Sequence, residues 1–420
     1  MLGFILGIII TILAAWAIIK NYQPQTVLLL AGLALLILTA IFFSDRSILY
    51  GKAATVGWKS FDFFAFIKNS LSTQIAGIGL IIMAAGGFAD YMDHIKASNA
   101  MVGLAIKPLK LIKAPYVILA LGYVLGQFLH VAISSAAGLA MLLLVTFFPV
   151  LVRLGVSKPA AAAMVGMTAF MDLGPAVGTA NLAAKHAGME TAVYFAKHQI
   201  PVAIGVILVV ATLIYFTAKY FDTKDGHIAE NIVDNEQDTG INAPWFYALL
   251  PLFPVILVLV FSPLLVKAVK MDVVTAMVMG SLLGMLCELL VKRDLKAVFK
   301  GFQVFFSGMG AMFTSIVSLL VCADVFAQGF QAIGAVDYIT HSVQNAGFGS
   351  AAMTVVMTLL VGITAAITGS GVAAFFSFSG LAPGIAAKFG VAPVSMILPM
   401  QLMAGMGRSI SPCGWGDHSS

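Results

Sequence analysis

The sequence predicts an all-α polytopic membrane protein made of two inverted repeats, each with transmembrane helices, a re-entrant helical hairpin and a broken helix. Three observations lead to this prediction. Of the 420 residues, 60% are hydrophobic and 10% are charged, whereas soluble domains carry about 25% charged residues. Two long stretches contain no Asp, Glu, Lys or Arg, and the motifs within them occur twice along the chain. This composition excludes an ordinary soluble protein.

The first uncharged stretch covers residues 114–152, which is 39 residues. As one helix it would be about 58 Å long, nearly twice the ~30 Å hydrocarbon core of a bilayer. We therefore expect it to fold back as a hairpin at the small-residue cluster that begins with Ser134 and Ser135. A helix interrupted there has free N–H groups for an anion. Such backbone is tolerated in a membrane only where it is buried in protein or lines a cavity.

A second copy of this pattern occupies residues 342–387, which are 46 residues without a charge. It contains a Thr-Gly-Ser-Gly motif at residues 368–371. Twenty residues separate the serine from the next glycine motif in each copy, over residues 135–155 and 370–390. An internal duplication with an offset near 235 residues explains this recurrence. Two hairpins in two repeats indicate a transporter core.

The remaining helices are predicted from apolar runs between charged loops. Residues 44–73 mix charges with aromatic side chains and are expected at the membrane interface. Residues 90–113 form an amphipathic arm with four lysines, whereas residues 328–350, their counterpart, contain no Lys or Arg. This contrast predicts inverted copies with the basic arm in the cytoplasm. The expected membrane helices are residues 1–19, 26–43, 75–89, 201–218, 244–264, 272–291 and 302–326.

Glycine and proline predict a broken helix in each repeat, at residues 172–179 and 405–412. We divide the chain into three parts. Membrane repeat 1 is residues 1–218, a polar cytoplasmic linker is residues 219–243, and membrane repeat 2 is residues 244–420. Because few residues follow the second broken helix, we expect repeat 2 to be incomplete at the C-terminus.

Charge and cysteine content restrict the partners. The net charge of +5 comes from basic residues in short loops, which favours an orientation signal over a nucleic-acid surface. The three cysteines have no metal or redox spacing, so neither a disulfide framework nor a bound metal is expected. The first apolar segment has no preceding basic region and is predicted to be an uncleaved helix. No cofactor is expected, with Na⁺ or H⁺ as the candidate coupling ion.

At the hairpins and broken helices the sequence resembles the anaerobic C4-dicarboxylate carrier family of bacterial inner membranes, the DcuC/DcuD type. The resemblance implies a multi-pass carrier of succinate, fumarate, malate or aspartate that works by uptake, efflux or exchange. It also implies the elevator movement of paired hairpins found in the wider ion-transporter superfamily. It covers essentially the whole chain and rests on residues 86–92, 107–110, 134–139, 325–329, 368–371 and 407–412.

A C4-dicarboxylate has two anionic ends, which in a dry site need hydrogen-bond donors or positive charge. Small polar residues at the hairpin breaks supply donors, and the guanidinium of an arginine in the second broken helix suits a carboxylate. Two alternatives stay open: the small residues serve close helix packing, and the arginine extends to the membrane surface. The predicted substrate-binding residues are Ser134, Ser135, Thr368, Gly369, Ser370, Arg408 and Ser409.

The candidate ion-coupling residues are Asp172, Thr179 and His130. Asp172 lies in the first broken helix and either holds a proton or Na⁺ or forms an internal ion pair. His130 precedes Ser134 by four residues, which predicts a common helical face, and histidine titrates near neutral pH. A hydrogen-bonded packing role is the alternative for His130. Two further acids, at 288 and 324, are expected near helix ends, where their charges reach the interface.

Other functions stay open. The same fold could transport another organic anion or an amino acid, or the chain is a degenerate remnant without transport activity. Val372, where the family usually has Asn, favours the remnant. An enzyme is not expected, because the zinc-protease, serine-hydrolase and phosphate-loop motifs are missing. The expected partners are small dicarboxylates and the lipid bilayer, with a possible homodimer and no nucleic acid.

Overall fold

The structure is a computed structural model that describes most of the chain. The described residues are 2–20, 22–43, 57, 59–112, 114–168, 170–226, 243–266, 269, 271–338, 342 and 349–411. Several sequence predictions lie outside them: the interfacial position of residues 44–56, the linker over residues 227–242, residues 339–341 and 343–348 of the arm predicted over residues 328–350, and the incomplete C-terminus.

The regular structure of the described residues is helical. In the first half the α-helices are α1 Leu2–Ile19, α2 Pro24–Phe42, α3 Lys59–Gln74, α4 Leu80–His94, α5 Ala97–Ile106, α6 Pro115–Ala132, α7 Ala136–Thr146, α8 Phe148–Arg153, α9 Lys158–Met167, α10 Gly178–His186, α11 Thr191–Tyr194 and α12 Ile200–Lys224. In the second half they are α13 Phe253–Val260, α14 Val273–Lys292, α15 Leu295–Met312, α16 Ser318–Ala332, α17 Ser350–Thr368, α18 Gly371–Ser379, α19 Ala382–Lys388 and α20 Val394–Ile410. Three π-helices are Ile75–Gly79, Phe195–Gln199 and Phe313–Val317, and two 3₁₀-helices are Leu109–Leu111 and Trp245–Leu249.

Eight helical segments in the described part of the chain are long and apolar enough to cross a bilayer. Helices α18 and α19, bent by 44°, are a further bent pair of this kind. The result agrees with the predicted all-α membrane fold. The eight segments are Pro24–Phe42, Phe61–His94, Pro115–Ala132, Ala136–Arg153, Thr191–Lys224, Val273–Lys292, Leu295–Ala332 and Ser350–Thr368.

The two hairpins break where the sequence predicts. Hairpin 1 consists of α6, α7 and α8, and its break lies between Ala132 and Ala136. Hairpin 2 consists of α17, α18 and α19, and its break lies between Thr368 and Gly371. A positive-φ glycine follows each hairpin, Gly155 at 93° and Gly390 at 65°, and one helix follows each glycine. The same order of elements thus occurs twice, while the inversion of the copies stays a prediction.

The first broken helix is confirmed and the second is corrected. Helix α9 ends at Met167 and α10 begins at Gly178, so the predicted interruption separates them. In contrast, α20 continues to Ile410. Its glycines serve close packing, because a Cβ at Gly407 would lie 2.4 Å from the Gly362 carbonyl O. The helix ends only at Ser411, which precedes a proline and is extended.

Two further segments differ from the prediction. Residues 59–73, predicted as interfacial, form helix α3, and all but the first two belong to the candidate membrane span Phe61–His94. Within this helix Phe63 lies in the apolar core, and Ser70 is buried and donates to Asp324. Residues 219–224, predicted as the start of the polar linker, are the last turns of α12. There Asp222 is buried and accepts a hydrogen bond from the Tyr116 hydroxyl at 3.2 Å.

The chain groups into two compact units. The first unit contains Met1–Ile82, Leu182–Met189 and Met312–Ser420, and the second contains Met83–Asn181 and Glu190–Ala311. Each unit therefore takes elements from both copies of the duplication. The repeat boundaries predicted from the sequence concern the duplication and not these compact units, and they stay predictions, as does the linker beyond residue 226.

The first unit has α2 and α16 packed in close contact. A Cβ at Gly32 would lie 2.7 Å from the backbone N of Phe326, and one at Gly329 would lie 2.7 Å from the Gly32 carbonyl O. Glycine lets membrane helices approach this closely. Leu36 and Val325 are fully buried in the adjoining core cluster.

The second unit packs α6 against α9 and α12. A Cβ at Gly122 would lie 2.2 Å from Phe147, and one at Gly126 would lie 2.3 Å from Thr168. Tyr123, between these glycines, is fully buried. This tight packing holds the end of α6, from which hairpin 1 turns.

Candidate functional site

Each hairpin turns at a serine that caps the helix after the break. Ser135 Oγ accepts a hydrogen bond from the Gly138 N–H at 3.1 Å, and Ser370 Oγ accepts one from the Ala373 N–H at 3.1 Å. Each bond satisfies one free N–H group of a helix start. Both serines are half-buried. Since a hydroxyl that accepts a hydrogen bond keeps its own hydrogen, each serine can still donate to a ligand.

Thr368 and Gly369 shape the tip of hairpin 2. Gly369 has a φ of 70° and ends α17 in the left-handed conformation that glycine adopts readily. The Thr368 hydroxyl donates to the Thr364 carbonyl at 2.8 Å and accepts from the Ser370 N–H at 3.3 Å. The Thr368 hydrogen is therefore committed to the helix, which makes Ser370 the better donor at this tip.

Within the first unit, hairpin 2 lies next to the face of α20 that carries Arg408. A Cβ at Gly371, the first residue of α18, would lie 2.5 Å from the Ala404 carbonyl O. Residues four apart share a helix face, so Arg408 follows Ala404 by about 6 Å along that face. Arg408 and Ser409 are half-buried, and the Ser409 hydroxyl donates to the Gly405 carbonyl at 3.1 Å. The tip of hairpin 2, with Thr368, Gly369 and Ser370, thus packs against the turn of α20 that precedes Arg408 and Ser409.

Within the second unit, the tip of hairpin 1 lies next to the first broken helix. Gly174 has a φ of 99°, and a Cβ there would lie 2.9 Å from the Val131 side chain. Val131 is in the last turn of α6, shortly before Ser134 and Ser135. The interruption and the hairpin tip are therefore packed together. The sequence predicts each of these two breaks, but not the contact between them.

A buried polar cluster surrounds Asp172 at this interruption. The Asp172 backbone has a φ of 49°, which is uncommon for a residue other than glycine. Its Oδ1 lies 3.5 Å from His130 Nε2, and its Oδ2 accepts a hydrogen bond from the Thr179 hydroxyl at 3.0 Å. Gln199 joins the cluster, because its Nε2 donates to the Asp172 carbonyl at 3.4 Å. Asp172, His130 and Thr179 are each 2% exposed or less. The three predicted coupling residues are therefore in contact.

The tautomer of His130 follows from its other nitrogen. Nδ1 lies 3.0 Å from the Ile133 carbonyl O, and because a carbonyl only accepts, Nδ1 carries a hydrogen. In neutral His130 the Nε2 lone pair then faces the Asp172 carboxylate, which repels it. One additional proton, on either group, converts this repulsion into a hydrogen bond. The geometry therefore suits a pair that shares one proton.

Three sequence interpretations need correction here. His130 and Ser134 do not share a helical face, because α6 ends at Ala132. Glu288 lies one turn before the end of α14, as expected, but its carboxylate is turned into the protein: it is 1% exposed, accepts from the Tyr91 hydroxyl at 3.4 Å and pairs with a lysine one turn later. Asp324 lies within α16 and accepts from Ser70. Buried acids are stable here because other side chains satisfy them.

The sequence interpretation missed two charged residues near the breaks. Asp93 Oδ2 lies 3.5 Å from where a Cβ on Gly138 would be, at the first turn of α7. Lys185 Nζ donates to Gln74 Oε1 at 3.0 Å in the first unit. A signal for Lys185 exists in the sequence, since it is the first charged residue after Asp172. Asp93 falls in the arm that we interpreted only as amphipathic.

Comparison with known proteins identifies the family. The chain matches the family described as "DcuC: C4-dicarboxylate anaerobic carrier" over residues 2–415. The chain belongs to the DcuC family. The resemblance inferred from the hairpin motifs is thereby confirmed, and the chain is a multi-pass bacterial membrane protein.

Curated relatives in the DcuC family are similar over nearly the whole chain. The probable anaerobic C4-dicarboxylate transporter DcuC of Vibrio cholerae serotype O1 is 37% identical, with 98% of this chain and 89% of that protein covered. The anaerobic C4-dicarboxylate transporter DcuC of Escherichia coli K12 is 35% identical with the same coverage. These names are those of transporters rather than enzymes.

A solved structure supports the fold of this DcuC-family chain. The YdaH transporter of Alcanivorax borkumensis, whose structure is described as having an unusual topology, aligns with a TM-score of 0.56. The alignment covers 94% of this chain and 89% of that one at 14% identity. At this identity the likeness shows the fold alone.

Proposed function

We propose that the chain is a secondary transporter that carries C4-dicarboxylates such as succinate, fumarate, malate or aspartate across the bacterial inner membrane. The observation that carries the proposal is the packing of Gly371, at the tip of hairpin 2, against Ala404 of α20, one helical turn before Arg408. An arginine within membrane-buried protein costs several kcal/mol unless it has a partner or a role. The DcuC family membership supports a dicarboxylate as the ligand that fits it.

The carboxylate-binding chemistry is assigned as follows. The Arg408 guanidinium binds one carboxylate through paired N–H donors. The Ser370 hydroxyl and the N–H groups at the start of α18 add donors at the hairpin tip. The equivalent start of α7 carries Ser134 and Ser135, a second set of the same chemistry in the other unit. Movement of hairpin-bearing elements, as in elevator carriers, would expose such sites alternately.

The coupling ion in this proposal is a proton held by His130 and Asp172. A neutral His130 presents a lone pair to the Asp172 carboxylate, so one proton stabilises the pair. The Thr179 hydroxyl also donates to the carboxylate in this cluster. Because the whole cluster is buried, exchange of the proton with water requires a conformational change. Na⁺ is the second candidate, favoured by the oxygen atoms of Asp172 and Thr179, but a histidine nitrogen 3.5 Å from the carboxylate favours the proton.

Uptake of labelled succinate into proteoliposomes tests this function. The expected result is uptake driven by an inward proton gradient, insensitive to replacing Na⁺ by choline, and inhibited by unlabelled fumarate, malate and aspartate. Butyrate, with the same carbon number but one carboxylate, is the matched control and should not compete. Competition only by another anion would support a different substrate on this fold, and no uptake of any anion would support a remnant without transport activity.

A further inference from the structure

Lys185 lies beside the π-helix Ile75–Gly79 in the first unit, and the function proposed above does not use it. Lys185 is in the last turn of α10, and its side chain is exposed. Its Nζ donates to Gln74 Oε1 at 3.0 Å, and Gln74 is itself buried at 9% exposure. An ammonium has three N–H donors, and one of them makes this bond. A ligand can therefore reach a cation that is held in place.

The backbone opposite Lys185 is not regular helix. The π-helix Ile75–Gly79 contains Gly77 with φ −94° and ψ −111°, which is not a helical conformation. A Cβ at Gly77 would lie 3.6 Å from Lys185 Nζ. The π-helix Phe313–Val317 of the second copy packs against the first one. Single π-helical turns within α-helices occur frequently at functional sites. Here each copy of the duplication contributes one such turn, and the two are in contact.

Asp324 provides the opposite charge. The carboxylate interacts electrostatically with Lys185, and its Oδ2 accepts a hydrogen bond from Ser70 at 2.5 Å. Asp324 is half-buried and Ser70 is buried. A carboxylate of the protein itself thus attracts this cation, and a carboxylate of a ligand would compete with Asp324 for it.

We propose that Lys185 binds one carboxylate of the transported dicarboxylate, in exchange for its interaction with Asp324. This inference rests on the proposed function, and it adds a second cation of the same unit to Arg408. A C4-dicarboxylate has two carboxylates, so two cationic groups can each take one end. Gln74 positions the ammonium, and Gly77 leaves room beside it.

Calorimetric titration of the purified full-length chain with succinate and with succinamate, its monoamide, tests this inference. The wild type should prefer succinate. In Lys185→Gln the affinity for succinate should fall about 10- to 100-fold, the usual effect of losing a hydrogen bond to a charged group, while succinamate is affected much less. Lys185→Arg keeps the charge and should keep the preference. Lys296→Gln, an exposed lysine on α15, is the matched control and should behave as wild type.

Asp324→Asn provides a result of opposite sign. Because it removes the competing carboxylate, it should strengthen succinate binding severalfold, which a purely structural role of the pair would not do. Equal succinate affinity and equal preference in wild type and Lys185→Gln would overturn the inference while leaving transport intact. If the wild type binds no C4-dicarboxylate, the proposed function fails. In that case the same titrations are made with glutarate and citrate. The role of Lys185 is overturned if Lys185→Gln binds these anions as tightly as the wild type, or if the wild type binds neither.

Discussion

His130 Nε2 and Asp172 Oδ1 lie 3.5 Å apart in an interior where both side chains are almost completely buried. The two residues are on separate elements, α6 and the interruption before α10. The Ile133 carbonyl fixes the hydrogen of His130 on Nδ1. In the proposed mechanism a proton between the two side chains makes this contact favourable, and release of that proton accompanies movement of the two elements.

Replacing Asp172 should separate exchange from coupled uptake. Asp172→Asn resembles the protonated acid but cannot release its proton. We expect proton-driven succinate uptake to fall at least tenfold, whereas counterflow of labelled against unlabelled succinate persists. Asp225→Asn, an exposed acid at the end of α12, is the control. Proton-driven uptake at the wild-type rate in Asp172→Asn would contradict the coupling role.

Removing the cap of hairpin 2 should affect both stability and transport. Ser370→Ala loses the bond to the Ala373 N–H, which costs about 1 kcal/mol, and it loses a donor to substrate. Ser157→Ala removes the equivalent cap of α9, bonded to the Ala160 N–H, away from the hairpin tips. Thermal unfolding in detergent should shift similarly in both variants, while KM for succinate rises only in Ser370→Ala. An equal KM in both would leave Ser370 as a cap alone.

Glycine at 407 should be essential for packing rather than for a helix break. Gly407→Ala places a Cβ 2.4 Å from the Gly362 carbonyl O, and we expect a loss of about 1–3 kcal/mol of stability from overpacking. Gly205→Ala, on the open face of α12 with nothing within 4 Å, should be neutral or stabilising by up to about 1 kcal/mol. Unfolding midpoints measured by intrinsic fluorescence compare the two. A broken α20 would instead tolerate alanine at 407.

Asp272 should contribute stability that depends on pH. It caps α14 just outside the membrane span, where its carboxylate accepts from the backbone and hydroxyl of Thr275. Burial alone would raise the pKa of Asp272, but these hydrogen bonds outweigh it and lower the pKa below the ordinary 3.8. The stabilisation is therefore complete above pH 3.8 and is lost as pH falls through the folded-state pKa.

Asp272→Ala tests this cap. We expect the variant to unfold more easily by about 1 kcal/mol, with a constant difference from wild type between pH 8 and pH 5 that shrinks only below 3.8. Thermal unfolding at a series of pH values measures the difference. A difference that disappears already between pH 7 and pH 5 would show that another group is responsible.

The hairpins were predictable because their signal is local. Uncharged stretches too long for one crossing, with small residues at the middle, determine where Ser135 and Ser370 cap new helices. The interruption at Asp172 was equally predictable from the sequence, because Gly174, Pro175 and Gly178 follow it within a few residues. In α20 the same kind of pattern misled, since Gly407 meets Gly362 of another helix, and such contacts between helices leave no local trace.

The site was predictable only in part for the same reason. Asp172 and Thr179 are close along the chain, but the contact with His130 depends on how α6 packs against the following helices. Lys185 was missed because its partners, Gln74 and Asp324, are distant in sequence and lie at a π-helix that periodicity does not reveal. The two hairpins belong to different compact units, and this assignment also depends on how the helices pack.

Counterflow of [¹⁴C]succinate in proteoliposomes tests the central claim most directly. Vesicles loaded with unlabelled succinate, containing the full chain, should accumulate label transiently and return it chemically unchanged. Arg408→Ala should abolish this, while Arg293→Ala, at the exposed end of α14, should not. Counterflow that is equal in Arg408→Ala and wild type, or absent from wild type for every C4-dicarboxylate, would contradict the account.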